Sequence, residues 1–69
     1  MANSSLELCK IDVDVLAVTD DALLLTDGLT ETWFPKSQVF DDRVDTLERE
    51  EQAPELRVAY WLAKKKGLI

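Results

Sequence analysis

The sequence predicts an α+β domain that is mainly β: a small antiparallel sheet of about five strands arranged as a meander, followed by one short C-terminal helix. Three observations carry this reading. Apolar Ile11, Val13 and Val15 alternate with Asp12 and Asp14, the period of a half-buried strand with its acids turned to water. Turn-forming residues recur at short intervals, at Thr19-Asp20-Asp21, Asp27-Gly28 and Pro35-Lys36-Ser37, which leaves strand-length segments between them. The chain closes on Tyr60-Trp61-Leu62-Ala63-Lys64-Lys65-Lys66-Gly67, where lysines suit the negative end of a helix dipole and glycine suits the position after the C-cap.

Taken in order, Leu6 and Leu8 lie in the opposite phase to Ile11–Val15, so a bulge or a separate short pairing is expected near Cys9 and Lys10. Segments 11–18, 22–26 and 29–34 form the meander, with Asp27-Gly28 placed for a type I′ hairpin turn. Pro35 ends the third segment because it has no N–H to donate. Gln38-Val39-Phe40 follows as a fourth strand. Residues 41–51 are ambiguous: Leu47-Glu48-Arg49-Glu50-Glu51 favours helix, Val44 and Thr46 favour strand, and the preferred reading is an extended arm turning at Gln52-Ala53-Pro54. Leu56-Arg57-Val58 then pairs back as a fifth strand, and the helix starts near Ala59. An alternative starts it at Pro54, a favourable first helical residue. The expected core is Val13, Val15, Val18, Leu23, Leu25, Trp33, Val39, Val58, Trp61 and Leu62, with either tryptophan indispensable to it.

Sixty-nine residues make a single domain, residues 1–69, with a modest core. No apolar run approaches the ~20 residues that span a bilayer, and Met1-Ala2-Asn3-Ser4-Ser5 lacks a signal pattern, so a cytoplasmic location away from membranes is expected; the chain is expected to be a monomer. A lone cysteine, Cys9, fits a reducing compartment and a small core residue. The formal net charge is −6 with no histidine. Residues 1–51 hold 13 of the 14 acidic side chains against four basic ones, whereas residues 52–69 hold Glu55 against Arg57, Lys64, Lys65 and Lys66. A body so charged repels nucleic acid and anionic surfaces and is drawn to basic ones.

Without histidine, a Gly-rich phosphate loop or a nucleophile elbow, no catalytic machinery is expected. Neither a cofactor nor a metal is implied: Asp12-x-Asp14 resembles the opening of a calcium loop, but Leu16 stands where a ligand belongs and no glycine or closing glutamate follows. The positive clue is carboxylate spacing. Acids two apart on a strand sit roughly 6.6 Å apart on one face, comparable to successive phosphates on a DNA strand. Asp12 with Asp14, and Glu48 with Glu50, have that spacing. Together with Asp20, Asp21, Asp27, Asp41, Asp42 and Asp45 they form the expected partner-binding set, a face that mimics DNA toward the basic surface of a nucleic-acid-binding protein complex. The rival reading has the protein bind single-stranded nucleic acid or a replication partner, through Lys64-Lys65-Lys66 and stacking by Trp33, Phe34 and Tyr60.

Gly28-Leu29-Thr30-Glu31-Thr32-Trp33-Phe34-Pro35-Lys36-Ser37-Gln38-Val39 and Trp61-Leu62-Ala63-Lys64-Lys65-Lys66-Gly67-Leu68-Ile69 resemble a group of short phage and mobile-element proteins that share a Trp-x-Pro-Lys-Ser-Gln-aliphatic turn and a Trp-Leu-Ala-x-x-Lys-Gly-Leu ending. By size and charge the chain also resembles small acidic anti-CRISPR proteins, some of which occupy DNA-binding surfaces of type I Cascade complexes. These resemblances imply a phage-type protein acting in the cytoplasm of the host cell, an anti-CRISPR inhibitor with CRISPR Cascade as partner, the alternative being a phage accessory protein that binds single-stranded nucleic acid or a replication partner. They carry over no functional residue.

Overall fold

The computed structural model describes residues 7–69; the expectations about Met1–Ser5 and the phase of Leu6 lie outside them. Four strands, β1 (Leu8–Val18), β2 (Ala22–Thr26), β3 (Glu31–Pro35) and β4 (Gln52–Ala59), form one open antiparallel sheet in the order β3-β2-β1-β4, and α1 (Tyr60–Lys65) ends the chain. The meander and the C-terminal helix therefore stand. The strand count is four, because Gln38-Val39-Phe40 is not a strand: Lys36–Gln38 make one 3₁₀ turn and Val39 meets Val58 in a single bridge.

β1 is the spine. Leu8–Asp14 pair with β4 and Asp14–Val18 with β2, so Asp14 alone has a partner on both sides, Gln52 and Thr26. Ile11, Val13 and Val15 face the core and are joined by Leu23, Leu25, Phe34, Leu56 and Val58 from the other strands, while Val39, Leu47, Leu62, Ala63 and Leu68 cover this inner face. Seven of the expected core residues are buried, and three are not. Val18 lies at the end of β1, Trp33 is 45% exposed and Trp61 52%. Register explains Trp33: Leu23 opposes Phe34, so Phe34 turns inward and is wholly buried, and its neighbour Trp33 turns outward beside Leu24. Period 2 puts adjacent residues on opposite faces whatever their size.

Leu8–Ile11 pair with β4 without a shift, so no bulge occurs at Cys9 and Lys10. The irregularities come at Leu16, skipped between Val15–Leu25 and Ala17–Leu24, and in β4, where Pro54 and Glu55 together oppose Asp12. Glu55 takes a positive φ of 52° there, and its N–H donates to Asp12 Oδ1 at 2.8 Å. The donor that the bulge removes from the ladder is thus satisfied by the side chain opposite.

The β2–β3 connection runs over Asp27–Thr30 and is not a two-residue type I′ turn. Only Gly28 in it has a positive φ, 98°, and Asp27 Oδ1 accepts from the N–H groups of Leu29 (2.9 Å) and Thr30 (2.8 Å). Residues 41–51 are neither arm nor helix but a chain of turns closed by Val44 N–H to Asp41 O, Leu47 N–H to Arg43 O and Glu51 N–H to Glu48 O. It rejoins the sheet beside Val15, whose N–H donates to Glu51 O and whose carbonyl accepts Glu50 N–H, with Glu50 at a φ of 68°. Pro54 lies within β4, which excludes the helix start placed there. At the other end the helix closes as expected on Gly67, whose φ is 81°, with Leu68 N–H bonded to Ala63 O and Gly67 N–H to Lys64 O. That paired pattern is a Schellman cap, and Leu68 is buried beneath it.

Candidate functional site

The outer face of the sheet is open to solvent. Across its middle runs a row made by four strands, Gln52, Asp14, Thr26 and Glu31, each paired to the next. Beside this row lies a shallow groove of about 270 Å³ lined by Asp12, Asp14, Thr26, Asp27, Gly28, Gln52 and Pro54. Three of the ten expected acids therefore meet at one place. Asp12 and Asp14 reach it through the alternation of β1, and Asp27 through the loop that follows β2.

Their states differ. Asp12 gives one oxygen to Glu55 N–H. Asp27, fully exposed, is held below the ordinary carboxylate range by the N–H groups of Leu29 and then Thr30, since a carboxylate that accepts backbone donors favours its charged form. Asp14, exposed on the outer face, accepts no hydrogen bond from a described residue. On the same face Lys10 opposes Arg57; Lys10 approaches Glu55 at 3.7 Å and Arg57 approaches Asp41 at 4.0 Å.

The other seven acids lie elsewhere. Asp20 and Asp21 are exposed in the β1–β2 turn, where Thr19 makes the capping bonds with Ala22. Asp42, Asp45, Glu48 and Glu50 are exposed along residues 41–51. Glu48 and Glu50 do not share the strand spacing of Asp12 and Asp14, because they lie in the turn closed by Glu51 N–H to Glu48 O and not on a strand, and Arg49 approaches Glu50 at 3.9 Å. Asp41 is not a surface acid at all. Its side chain is 7% exposed and is gripped by Arg43 Nε (2.9 Å), Arg43 Nη2 (3.0 Å), Arg43 N–H (3.0 Å) and Arg57 N–H (3.2 Å). Arg43 above all holds its carboxyl far below the ordinary range. A carboxylate so committed has no lone pair left for a partner.

Thr26 and Gln52, the walls of the groove, and Glu31, the end of its row, went unmarked in the sequence. Pairing of β1 with both neighbours brings them in, and residue spacing within one strand carries no sign of that. Cys9 packs partly against the core, and burial pushes its thiol pKa up, the opposite of an activated nucleophile. No set of three or more His, Cys, Asp or Glu among the described residues is placed to hold a metal, and no described helix is long and apolar enough to cross a membrane. Phe34, buried on the inner face, is lost to base stacking. Family models, characterised proteins and solved structures were compared with the chain, and none matches it.

Proposed function

We propose that the chain is a non-catalytic acidic binding protein that sets the outer face of its sheet, at the Asp12–Asp14–Asp27 groove, against a basic surface built for nucleic acid. The observation that supports this is the convergence of three carboxylates from β1 and the β2–β3 loop on one open groove, with Asp14 at its centre. A guanidinium or ammonium group approaching Asp14 meets fixed negative charge on a strand paired on both sides, and pays little ordering entropy. The partner class is a host nucleic-acid-binding complex; in the phage setting that the sequence resemblance implies, the protein acts as an anti-CRISPR inhibitor and Cascade is the complex to try first.

The test measures binding to a labelled single-stranded oligonucleotide and to purified Cascade, with and without target DNA, at two salt concentrations. The proposal expects binding to the effector that target DNA displaces, that weakens as salt screens it, and that Asp14→Lys weakens about 10-fold or more. Effector binding insensitive to salt and to Asp14→Lys would reject it.

A second reading has its own observation. Trp61 is 52% exposed on the same short helix as exposed Lys64 and Lys65, and the Lys64 ammonium lies 6.0 Å from the centre of the Tyr60 ring. An aromatic surface flanked by cations suits stacked bases and phosphates. Tight oligonucleotide binding lost on Trp61→Ala selects this reading over mimicry.

A further inference from the structure

The outer face of the sheet carries a second row, next to the one that runs from Gln52 through Asp14 and Thr26 to Glu31. Ala17 pairs with Leu24 and Leu24 with Trp33, and beyond them Ala22 pairs with Pro35. Leu23, Leu25 and Phe34, the chain neighbours of these residues on β2 and β3, are wholly buried on the inner face. Alternation therefore turns Ala22, Leu24, Trp33 and Pro35 outward, and Ala17 with them as the partner of Leu24. Trp33 is 45% exposed and the other four are half-buried. The helix packs beside β4, at the other side of the sheet, and leaves this end of the face open.

The two rows border each other on every strand they share. Leu24 and Thr26 are two residues apart on β2, Trp33 and Glu31 two apart on β3, and Asp14 and Ala17 three apart on β1, where Leu16 is the extra residue. Side chains two apart on a strand stand roughly 6.6 Å from each other on one face. Asp14 and Glu31 are exposed, and no described basic side chain pairs with either. An apolar strip thus lies directly against a line of carboxylates. Building on the acidic docking face proposed above and resting on it, we propose that the strip Ala17–Leu24–Trp33 seats the apolar stripe of a cationic amphipathic helix of a protein partner, whose lysines or arginines meet Asp14 and Glu31.

Charge decides among the possible occupants. Single-stranded nucleic acid stacking a base on Trp33 would set its phosphates against Asp14 and Glu31, which repel them. A second copy of this face brings further carboxylates to the row, and the cations on its own outer face, Lys10 and Arg57, are engaged by Glu55 and Asp41. A cationic helix meets both rows at once. Its side chains at i and i+4 stand about 5 to 6 Å apart, close to the roughly 4.8 Å between neighbouring strands, so an apolar stripe can follow Ala17, Leu24 and Trp33 while the basic flank follows Asp14, Thr26 and Glu31. Trp33 suits the anchor position: tryptophan is among the residue types that carry interfaces, and a ring with two χ angles loses little rotamer freedom on contact. Leu24 lies on a strand paired on both sides, so the strip is formed before a partner arrives.

Two synthetic helical peptides test this by NMR titration into the isotope-labelled full chain. One carries leucines at i, i+3, i+4 and i+7 flanked by lysines; in the other each leucine is replaced by glutamine, which keeps the charge and nearly the same helix propensity. The leucine peptide is expected to shift the indole N–H of Trp33 and the amides of Leu24 and Thr26, and to bind about 10-fold more tightly than the glutamine peptide. Trp33→Ala, with its thermal melt near that of the parent, is expected to weaken the leucine peptide about 10-fold and to leave the glutamine peptide within about 3-fold, whereas Asp14→Lys weakens both about 10-fold. Equal affinity of the two peptides overturns the proposal, and so do shifts that spare Trp33 and Leu24. Trp33 signals that move with protein concentration before any peptide is added would put a second copy on the strip and overturn it as well. If Asp14→Lys weakens both peptides but Trp33→Ala weakens neither, the apolar strip alone fails; if Asp14→Lys changes nothing, the acidic docking face fails and the strip with it.

Discussion

Asp41 and Arg43, two residues apart, face each other through paired hydrogen bonds of 2.9 and 3.0 Å, and the same guanidinium reaches on to Pro54 O at 2.8 Å. One ion pair thereby fastens the 41–51 segment to the β4 edge. The folded-state pKa of Asp41 lies below its unfolded value, Arg43 being the main cause. Its contribution is therefore complete above the ordinary carboxylate range and is lost as pH falls from about 5 toward the folded value. Acid titration of thermal stability is expected to show this loss, and Asp41→Asn to flatten it. At neutral pH, Asp41→Ala is expected to cost about 2 to 3 kcal/mol, because it strands Arg43 and the Arg57 N–H; a fully buried pair would cost more, but Arg43 is partly open to water.

Replacing the aromatic residues separates the two faces of β3. Phe34→Ala empties a wholly buried site and is expected to cost about 3 to 5 kcal/mol, enough to unfold a domain this small. Trp33→Ala and Trp61→Ala, each about half exposed, are expected to cost about 1 kcal/mol or less in the monomer. Urea unfolding of the three variants decides the order. A collapse of either tryptophan variant would mean that its ring carries the core after all.

Much of this was legible in the sequence, and what was not has physical reasons. Alternation of Ile11, Val13 and Val15 with aspartates, the polar breaks at Thr19–Asp21 and Asp27-Gly28, and the Lys-Lys-Lys-Gly ending each report a local preference, and each holds. The choice between Trp33 and Phe34 depends on whether Leu23 meets Phe34, a pairing set across strands, and ring size alone points the wrong way. Residues 41–51 show no period because side chains pin their turns: Asp41 to Arg43, and Glu51 to the Glu48 N–H at 2.9 Å. Counting acids likewise cannot reveal that Asp41 is spent internally while Asp14 has no hydrogen-bond donor among the described residues; only an Asp-x-Arg spacing hinted at it.

Glu50 occupies the third position of the Glu48–Glu51 turn with a φ of 68°, a conformation in which a side chain is strained and glycine is not. Glu50→Gly is expected to stabilise the protein by about 0.5 to 1 kcal/mol, raising the melting temperature by roughly 2 to 8 °C. Glu50→Gln removes the charge and keeps the strain, so it should leave the melt nearly unchanged. Equal shifts for the two would assign the effect to charge.

Asp12 and Asp14 look alike in sequence and differ in role. Asp12→Ala deprives Glu55 N–H of its acceptor at the bulge and is expected to cost about 1 kcal/mol. Asp14→Ala, which breaks no hydrogen bond among the described residues, should stay within about 0.5 kcal/mol of the parent. Chemical denaturation midpoints measured side by side check the pair.

Because β1 is shared lengthwise, its first half held by β4 and its second by β2, the order of assembly during synthesis is constrained. The β1–β2–β3 meander closes from contacts near in sequence, but Leu8–Asp14 must wait for Gln52–Ala59, 38 to 51 residues later, and such distant pairing is slow. Until β4 has emerged, the apolar side of Leu8–Asp14 has no strand beside it, so a fragment that stops short of Gln52 exposes that surface and is a target for chaperones and proteases.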